Sequence, residues 1–365
     1  MDAGAQILRP EGLQRFRSLQ SDAIAAVTER LYDAHGSVYA QFGPHGREVC
    51  REDLSFHLEF LRPVLEFGLM QQMVDYLVWL GSVLETRAVP SSHLALSLDW
   101  LGEFFAARMD AVDGPVVAAA LQGARKGFES AAELPVVAPF TRKPWADTDT
   151  FETALLAGHQ REAVAVVDRC IDEGHNLVDV EMNVIQPALY AIGMKWQLNQ
   201  ISVAQEHLAT AIAHSVMTVG LLRSPVPPMH GKRMLLACVQ GNNHAVGARM
   251  VCDAFQLAGW DVQFLGADTP TSALVGHAVQ WKPDLIGLSV SLPQQLAAAK
   301  NVISRLCERL GPTRPPVLLG GLAINRFVHL VEMVGADAYS PNPQDAVAYA
   351  NRSVGLGGPG ALVSM

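Results

Sequence analysis

The chain has 365 residues, a formal net charge of −9 and 50% hydrophobic residues. This composition is typical of a globular protein and excludes a disordered chain. The acidic balance argues against direct nucleic-acid binding, which normally uses a basic domain or stripe. The N-terminus shows no signal-peptide pattern, no apolar run is long enough to span a bilayer, and the five cysteines form no close pair. We therefore expect a cytoplasmic protein with reduced thiols.

Two helical regions come first. Residues 1–138 carry apolar residues at three- and four-residue spacing, as in LQRFRSLQSDAIAAVTERLYDAH, which predicts an all-helical domain. ELPVVAPFTRKPW, with three prolines, is predicted to be a linker. Residues 139–228 contain further helical stretches that are apolar over more than one face, which predicts a four-helix-type bundle. The Pro-rich stretch RSPVPPMHG ends this region.

Residues 229–352 change to short apolar runs separated by longer helical stretches. KRMLLACVQ, DVQFLGA, PDLIGLSVS and PPVLLGG predict buried strands, and GADAYS predicts a fifth. This alternation predicts a Rossmann-like domain, in which helices cover both faces of a parallel sheet. The predicted fold class is thus α + α/β. The Gly-rich residues 353–365 are predicted to form a flexible tail.

Unusual residues follow three of the predicted strands. Ligands of doubly wound sheets bind at the carboxyl ends of the strands. Glycine there lets a bulky group lie against the backbone, and a serine hydroxyl can bond a ring nitrogen. The residues are Asn242, His244 and Gly247 after the first strand, Ser289 and Ser291 at the third, and Gly320 and Gly321 at the fourth. The sequence therefore predicts a ligand cleft at this edge.

These residues resemble the cobalamin-binding motif Asp-x-His-x-x-Gly, Ser-x-Leu, Gly-Gly of methionine synthase, the mutases and related corrinoid proteins. The gaps of 41 residues (248–288) and 28 residues (292–319) fit that family. The resemblance implies that His244 binds cobalt from below and displaces the cofactor's dimethylbenzimidazole, whose tail lies between Ser289 and Gly320–Gly321.

Two positions depart from the family pattern. Asn242 replaces the aspartate that accepts the second ring N–H of the histidine. Asparagine can accept that bond through its carbonyl but carries no charge. We expect a weaker cobalt–imidazole bond, or one less sensitive to protonation. Ser291 replaces the leucine of Ser-x-Leu, a milder change.

In the helical bundle, Trp196 precedes Glu206 and His207 by ten and eleven residues. This spacing resembles the Trp-x9-Glu-His pattern of the CarH-type light-sensing cobalamin repressors. The resemblance implies that Trp196 shields an adenosyl group on the upper face of the corrin, with Glu206–His207 nearby on the next helix. Gln197 stands where the family has a histidine that captures cobalt after photolysis. The ligand that replaces the adenosyl group is therefore open.

The layout of a helical domain before a covered cobalamin domain resembles the photocobilins, which pair cobalamin with biliverdin. The resemblance implies that residues 1–138 form a bilin-binding domain, and their size and helix count suit a globin-like fold. A linear tetrapyrrole needs apolar walls, cations for two propionates and polar groups for the pyrrole nitrogens. The segment CREDLSFHLEFLRPVLEF offers Arg51, His57 and Arg62 for these roles.

The expected function is therefore that of a light sensor, not an enzyme, binding adenosylcobalamin and biliverdin. We expect a homo-oligomer whose self-association, or whose contact with a partner protein, changes in light. A corrinoid methyl carrier is the first alternative, although a bulky Trp196 over the corrin argues against a methyl group that partners must reach. A regulator that senses cobalamin itself, without light, is the second.

Overall fold

The structure, a computed structural model, describes residues 7–131, 143–225 and 227–356. The chain divides into two compact units: Met1–Pro139 with Gln197–Gln200, and Phe140–Trp196 with Ile201–Met365. The predicted boundary near residue 228 falls inside the second unit and stays a prediction. Most of the first predicted linker (133–142) and the end of the predicted tail (357–365) lie outside the described residues.

The first unit is helical, as its apolar periodicity predicts. Its helices are α1 (Pro10–Tyr39), α2 (Gly46–Phe67), α3 (Met70–Glu85), α4 (Ser91–Arg108) and α5 (Asp113–Ser130). α1 packs on α4 through the fully buried rings of Phe16 and Phe105, whose centroids lie 4.9 Å apart. Gly68 ends α2 with a φ of 73°, a conformation that glycine adopts without strain, and so allows the sharp turn into α3.

The second unit begins with a helical bundle. Its helices are α6 (Asp147–Leu156), α7 (Gln160–Asp172), α8 (Leu177–Val180), α9 (Gln186–Gln197) and α10 (Val203–Arg223). Apolar residues such as Phe151, Val167 and Val216 form its core. Ser202 and Gln205 start α10 with reciprocal side-chain-to-backbone hydrogen bonds. Between α8 and α9, Glu181–Ile185 form a π-helical turn, a rare geometry that is frequent at functional sites.

A five-stranded parallel sheet follows, in the order β2-β1-β3-β4-β5. The strands are β1 (Arg233–Cys238), β2 (Asp261–Phe264), β3 (Leu285–Ser289), β4 (Val317–Gly320) and β5 (Ala338–Tyr339). All five predicted strands are present, and neighbouring strands pair in parallel. Cys238 pairs with Ser289 at the carboxyl ends of β1 and β3. The strand order reverses there, so the loops after β1 and β3 meet where ligands of such sheets bind.

Nearly every residue of β1 and β3 is buried, as is expected when helices cover both faces of a parallel sheet. The helices are α11 (Val246–Leu257), α12 (Thr271–Trp281), α13 (Leu296–Leu310), α14 (Leu322–Arg326), α15 (Leu330–Val334) and α16 (Pro343–Ser353). Met250 of α11 belongs to the apolar core of the bundle. α11 therefore joins the bundle to the sheet domain.

The structure gives the state of the cysteine thiols and the hydropathy of the helices. All five cysteines are free; Cys170, Cys238 and Cys252 are buried, whereas Cys307 is exposed on α13. Within residues 7–131, 143–225 and 227–356, no helix is long and apolar enough to cross a membrane.

Candidate functional site

The loop after β1, which carries the predicted motif, is held from both sides. Asn242 is fully buried. Its side-chain nitrogen donates to the carbonyl oxygen of Ser289 over 2.9 Å, and its side-chain oxygen accepts from the backbone N–H of His244 over 3.0 Å. On the β2 side, Oδ1 of Asp268 accepts from the N–H of Gly241 over 2.7 Å. These bonds determine the backbone course that leads to His244.

His244 presents its imidazole at the edge of the sheet. The residue is solvent accessible, yet desolvation of the ring lowers the pKa of His244, and the opposing effect of the Glu206 carboxylate is smaller. The ring is therefore neutral at neutral pH. A neutral imidazole has a free nitrogen lone pair and is a common metal ligand. The loop thus offers a metal a nitrogen that needs no deprotonation.

The serines of the motif lie at the end of β3. Ser289 is buried, and its Oγ lies 3.5 Å from the side-chain nitrogen of Asn242. Ser291 follows in the loop and donates its backbone N–H to Oε1 of Gln295 over 2.9 Å. Ser289 pairs with Gly320 across the β3–β4 ladder. The structure therefore brings the end of β3 beside both the His244 loop and the Gly-Gly turn.

The glycines of the motif serve different purposes. Gly321 has a φ of 102°, and a Cβ there would lie 2.4 Å from the carbonyl oxygen of Val290. This glycine is required by the close approach of two backbone segments. At Gly247 a Cβ would meet no atom within 4 Å, and at Gly320 it would make ordinary contact with Ser340. Gly247 thus leaves open space that a ligand can use, whereas a side chain at Gly320 would contact the backbone of Ser340.

The bundle residues of the predicted pattern lie on consecutive helices. Trp196 is half-buried in the last turn of α9, and Glu206 and His207 lie close to the start of α10. Oε1 of Glu206 accepts from the hydroxyl of Thr210 over 2.9 Å, while a hydrogen bond of 2.6 Å joins its Oε2 to Nδ1 of His207. Glu206 and His207 therefore form a hydrogen-bonded pair on the helix that follows Trp196.

Comparison with protein-family models identifies these two regions. Residues 232–347, which include β1 to β5, match the B12 binding domain, and residues 148–219 match a second B12 binding domain model. Both regions of the chain therefore match B12 binding domain models. We call the bundle the cap and the sheet domain the B12-binding domain. Together they indicate a corrinoid cofactor.

The chain is similar to both a repressor and corrinoid proteins. The HTH-type transcriptional repressor CarA of Myxococcus xanthus is 33% identical over 193 residues, which are 51% of this chain and 62% of that protein. The match therefore spans less than two thirds of CarA. A corrinoid protein of Desulfitobacterium hafniense is 23% identical over 57% of this chain and 97% of its own length. The solved monomethylamine corrinoid protein of Methanosarcina barkeri covers 56% of this chain and 97% of its own, at 19% identity and a TM-score of 0.48.

The N-terminal unit contains a pocket of about 110 Å³. Its apolar lining comes from α1, α2 and α4 together with Phe42, Leu84 and Val89. The ionisable or hydroxyl-bearing side chains that line it include Tyr39, Asp53, His57, Arg87 and His93. Nδ1 of His93 bonds the hydroxyl of Tyr39 over 2.8 Å. The pocket therefore combines apolar walls with polar groups and one arginine.

Burial shifts the ionisation of the pocket residues. Desolvation lowers the pKa of His57 to about 4 and raises the pKa of Asp53 to about 6. Desolvation, followed by the nearby His35, also lowers the pKa of His93. His57 is therefore neutral at neutral pH, and a hydrogen bond of 3.0 Å joins its Nδ1 to the hydroxyl of Tyr76.

The three residues predicted for a bilin are not brought together. His57 lines the pocket, whereas Arg51 and Arg62 do not. Arg51 is exposed and pairs with Glu29 over 3.4 Å, and Arg62 pairs with Glu59 over 3.0 Å. Arg87 lines the pocket instead. Sequence reasoning missed it because it lies at the α3–α4 turn without a recognisable motif.

A buried acid pair was also missed by sequence reasoning. Glu181 of the π-helical turn and Asp253 of α11 are both fully buried. Both carboxyl oxygens of Glu181 and Oδ2 of Asp253 lack a hydrogen-bond partner, while Oδ1 of Asp253 accepts from Nε of Arg249 over 2.7 Å. Burial, and next the charge of Asp253, raise the pKa of Glu181 well above its usual value. A protonated Glu181 that donates to Oδ2 of Asp253 would give that oxygen a partner and remove one of the two buried charges.

Proposed function

We propose that the chain is a light sensor that binds adenosylcobalamin, with His244 as the lower cobalt ligand and Trp196 beside the adenosyl group. The observation that carries the proposal is the placement of Trp196 and the Glu206–His207 pair on consecutive cap helices, directly before a B12-binding domain. The residues fit the cofactor, because His244 is neutral and accessible and Gly247 leaves open space beside its loop. The cofactor supplies a cobalt–carbon bond that visible light breaks.

The cap converts loss of the adenosyl group into movement. Trp196 would pack against the adenosyl group in the dark. Loss of that group would leave a void beside the indole ring, and packed interiors tolerate voids poorly. The cap helices then repack. Because Met250 of α11 lies in the cap core, repacking also acts on the B12-binding domain. The proposed output is a change in self-association or in contact with a partner protein, without direct nucleic-acid binding.

The proposal includes biliverdin in the N-terminal unit, as a domain of globin-like type. The pocket supports this with apolar walls, the polar groups of Asp53 and His57, and the cation of Arg87 for a propionate. Its volume of about 110 Å³ is below the roughly 300–1,000 Å³ of most small-molecule sites. A tetrapyrrole therefore requires side chains of the pocket to move outward.

A corrinoid methyl carrier is the second candidate. It is favoured by the match to the Desulfitobacterium hafniense corrinoid protein, which extends over 97% of that protein. A carrier needs an upper corrin face that partner proteins can reach. The position of Trp196 in the cap favours the sensor instead.

The deciding experiment is an absorption spectrum of the full chain reconstituted in darkness with adenosylcobalamin and biliverdin, before and after green light. If the chain is a sensor, green light changes the absorption spectrum of the bound cobalamin and the elution volume of the protein in size-exclusion chromatography. A red band that stays with the protein supports bilin binding. Photolysis no faster than that of free cofactor, with unchanged elution, supports the methyl carrier.

Two variants locate the effect. Trp196→Ala is expected to keep cobalamin bound but to alter photolysis or the oligomer formed in the dark. Trp145→Ala removes another tryptophan of the second unit, one that packs on His175 with ring centroids 4.2 Å apart. It is expected to leave the light response unchanged. Equal behaviour of the two variants contradicts the role of Trp196.

A further inference from the structure

One buried side chain ties together the two loops at the carboxyl ends of β1 and β3. Gln295 lies directly before α13 and is 3% exposed. Its Oε1 accepts from the backbone N–H groups of Ser291 and Leu292, over 2.9 and 3.0 Å. Its Nε2 donates to the carbonyl oxygen of Gly241 over 3.0 Å. Every bond of this carboxamide therefore runs to loop backbone.

The bond to Gly241 acts on the His244 loop close to its ligand-bearing residue. Gly241 has a φ of 83° and turns the chain out of β1, three residues before His244. Its N–H is held by Asp268, on the β2 side. Its carbonyl is held by Gln295, on the β3 side. The start of the loop is thus held through both the backbone N–H and the backbone carbonyl of Gly241.

An amide side chain suits this set of bonds, because at neutral pH it carries both an acceptor oxygen and a donor nitrogen. A glutamate at position 295 retains the two acceptor bonds but, when ionised, places a charge against the carbonyl of Gly241. A methionine of similar length makes none of the bonds. Ser291 and Leu292 are half-buried and Gly241 is exposed, so water can replace the amide at their backbone groups. Loss of the amide therefore removes the three bonds that join the loops, and the loops are expected to separate.

We propose that Gln295 is a positioning residue for His244, which fixes the spacing of the β1 and β3 loops so that the imidazole reaches cobalt. This inference rests on the proposed role of His244 as the lower ligand. It does not depend on the response to light. Gln295 acts on His244 through the loop backbone, since its side chain bonds Ser291, Leu292 and Gly241.

The test compares Gln295→Glu and Gln295→Met with Asn183→Asp in the full chain. Asn183 is a matched control, because its buried side-chain nitrogen also donates to a backbone carbonyl, that of Asp179, over 2.7 Å. Each protein is titrated with hydroxocobalamin, and the reduced cobalt(II) form is examined by electron paramagnetic resonance for splitting by an axial nitrogen. Backbone hydrogen exchange of residues 241–245 is measured without cofactor.

Both Gln295 variants are expected to bind hydroxocobalamin about tenfold more weakly, to lose most of the axial-nitrogen splitting and to exchange faster at 241–245. Asn183→Asp is expected to retain all three properties. Wild-type affinity and splitting in both Gln295 variants overturn the proposal. If the wild-type protein shows no axial-nitrogen splitting, or if the splitting persists when His244 is replaced, both the Gln295 proposal and the assignment of His244 as ligand are wrong. A wild-type protein that shows the splitting but no light response refutes only the sensor, and the Gln295 comparison remains decisive.

Discussion

The side-chain nitrogen of Asn242 donates to the carbonyl oxygen of Ser289 over 2.9 Å and thereby joins the loop after β1 to the end of β3. The aspartate of the family pattern has no donor for this bond. The side-chain oxygen of Asn242 accepts from the backbone N–H of His244. Asparagine at this position therefore supports the backbone of the loop, in addition to any effect on the ring of His244.

Asn242→Asp is expected to destabilise the folded chain by about 1–3 kcal/mol, because the substitution removes the donor and brings a carboxylate close to the carbonyl of Ser289. The measurement is urea denaturation of the cofactor-free protein. Asn325 offers a matched control, since its side-chain nitrogen also donates to a carbonyl, that of Pro341, but the residue is exposed. Equal losses for Asn242→Asp and Asn325→Asp contradict this account.

His244→Ala is expected to weaken cobalamin retention and to shift the bound spectrum towards the form without an axial base. The reason is the loss of a neutral nitrogen ligand at the edge of the sheet. Absorption spectroscopy after dialysis measures both effects. His159→Ala, which removes an exposed histidine of the cap, serves as the control. A wild-type spectrum in His244→Ala shows that another group binds the cobalt.

Glu181→Gln is expected to make the free energy of unfolding less sensitive to pH. The folded-state pKa of Glu181 is raised above its ordinary value of 4.5. Its contribution to stability is therefore fully present below about pH 4.5 and declines as the pH rises towards the folded-state pKa. The side-chain N–H of a glutamine can donate to Asp253, as a protonated Glu181 would, without a titrating proton. The variant is thus expected to gain stability over wild type as the pH rises.

Urea denaturation at about pH 5, 7 and 9 gives the free energy of unfolding of wild type, Glu181→Gln and Glu162→Gln. Glu162 is an exposed cap residue and serves as the control. The facing groups Arg249, Cys252 and His214 are present in all three proteins. If the free energy of unfolding changes equally with pH in Glu181→Gln and in wild type, Glu181 is not protonated in the folded protein over this range.

Gly321→Ala is expected to destabilise the fold, whereas Gly247→Ala is expected to leave its stability unchanged. A Cβ at Gly321 meets the carbonyl of Val290 at 2.4 Å with a φ of 102°, so the variant should lose about 3 kcal/mol of stability. A Cβ at Gly247 meets no atom within 4 Å, so that variant should fold normally. Weaker hydroxocobalamin binding by folded Gly247→Ala then indicates that the cofactor uses this space. Thermal denaturation and cofactor titration of both variants decide the matter.

Arg87→Ala is expected to weaken the red absorption band of bound biliverdin, whereas Arg51→Ala is expected to leave it unchanged. Arg87 lines the pocket of the N-terminal unit, while Arg51 is exposed and pairs with Glu29. A propionate gains most from a cation inside the pocket. Titration of the cofactor-free chain with biliverdin gives both affinities. A larger effect of Arg51→Ala places the bilin elsewhere.

The sequence by itself predicted the helical N-terminal region, the five parallel strands and the edge of the sheet where His244 lies. These features depend on local periodicity and on short motifs whose residues are close together in the chain. Burial on both faces makes strands such as β1 read as continuous apolar runs. The position of a histidine after a strand then follows from the direction of the chain.

Only the tertiary structure decided what each polar or glycine residue contacts. Asn242 and Ser289 are 47 positions apart, and Gln295 is 54 positions from Gly241, so their hydrogen bonds depend on the pairing of β1 with β3. Whether Arg51 or Arg87 reaches the pocket depends on how the helices pack. The partnership of Glu181 with Asp253 likewise requires α11 to pack against the cap. Hydrogen-bond partners distant in sequence leave no periodic pattern, because their geometry exists only after the elements have assembled.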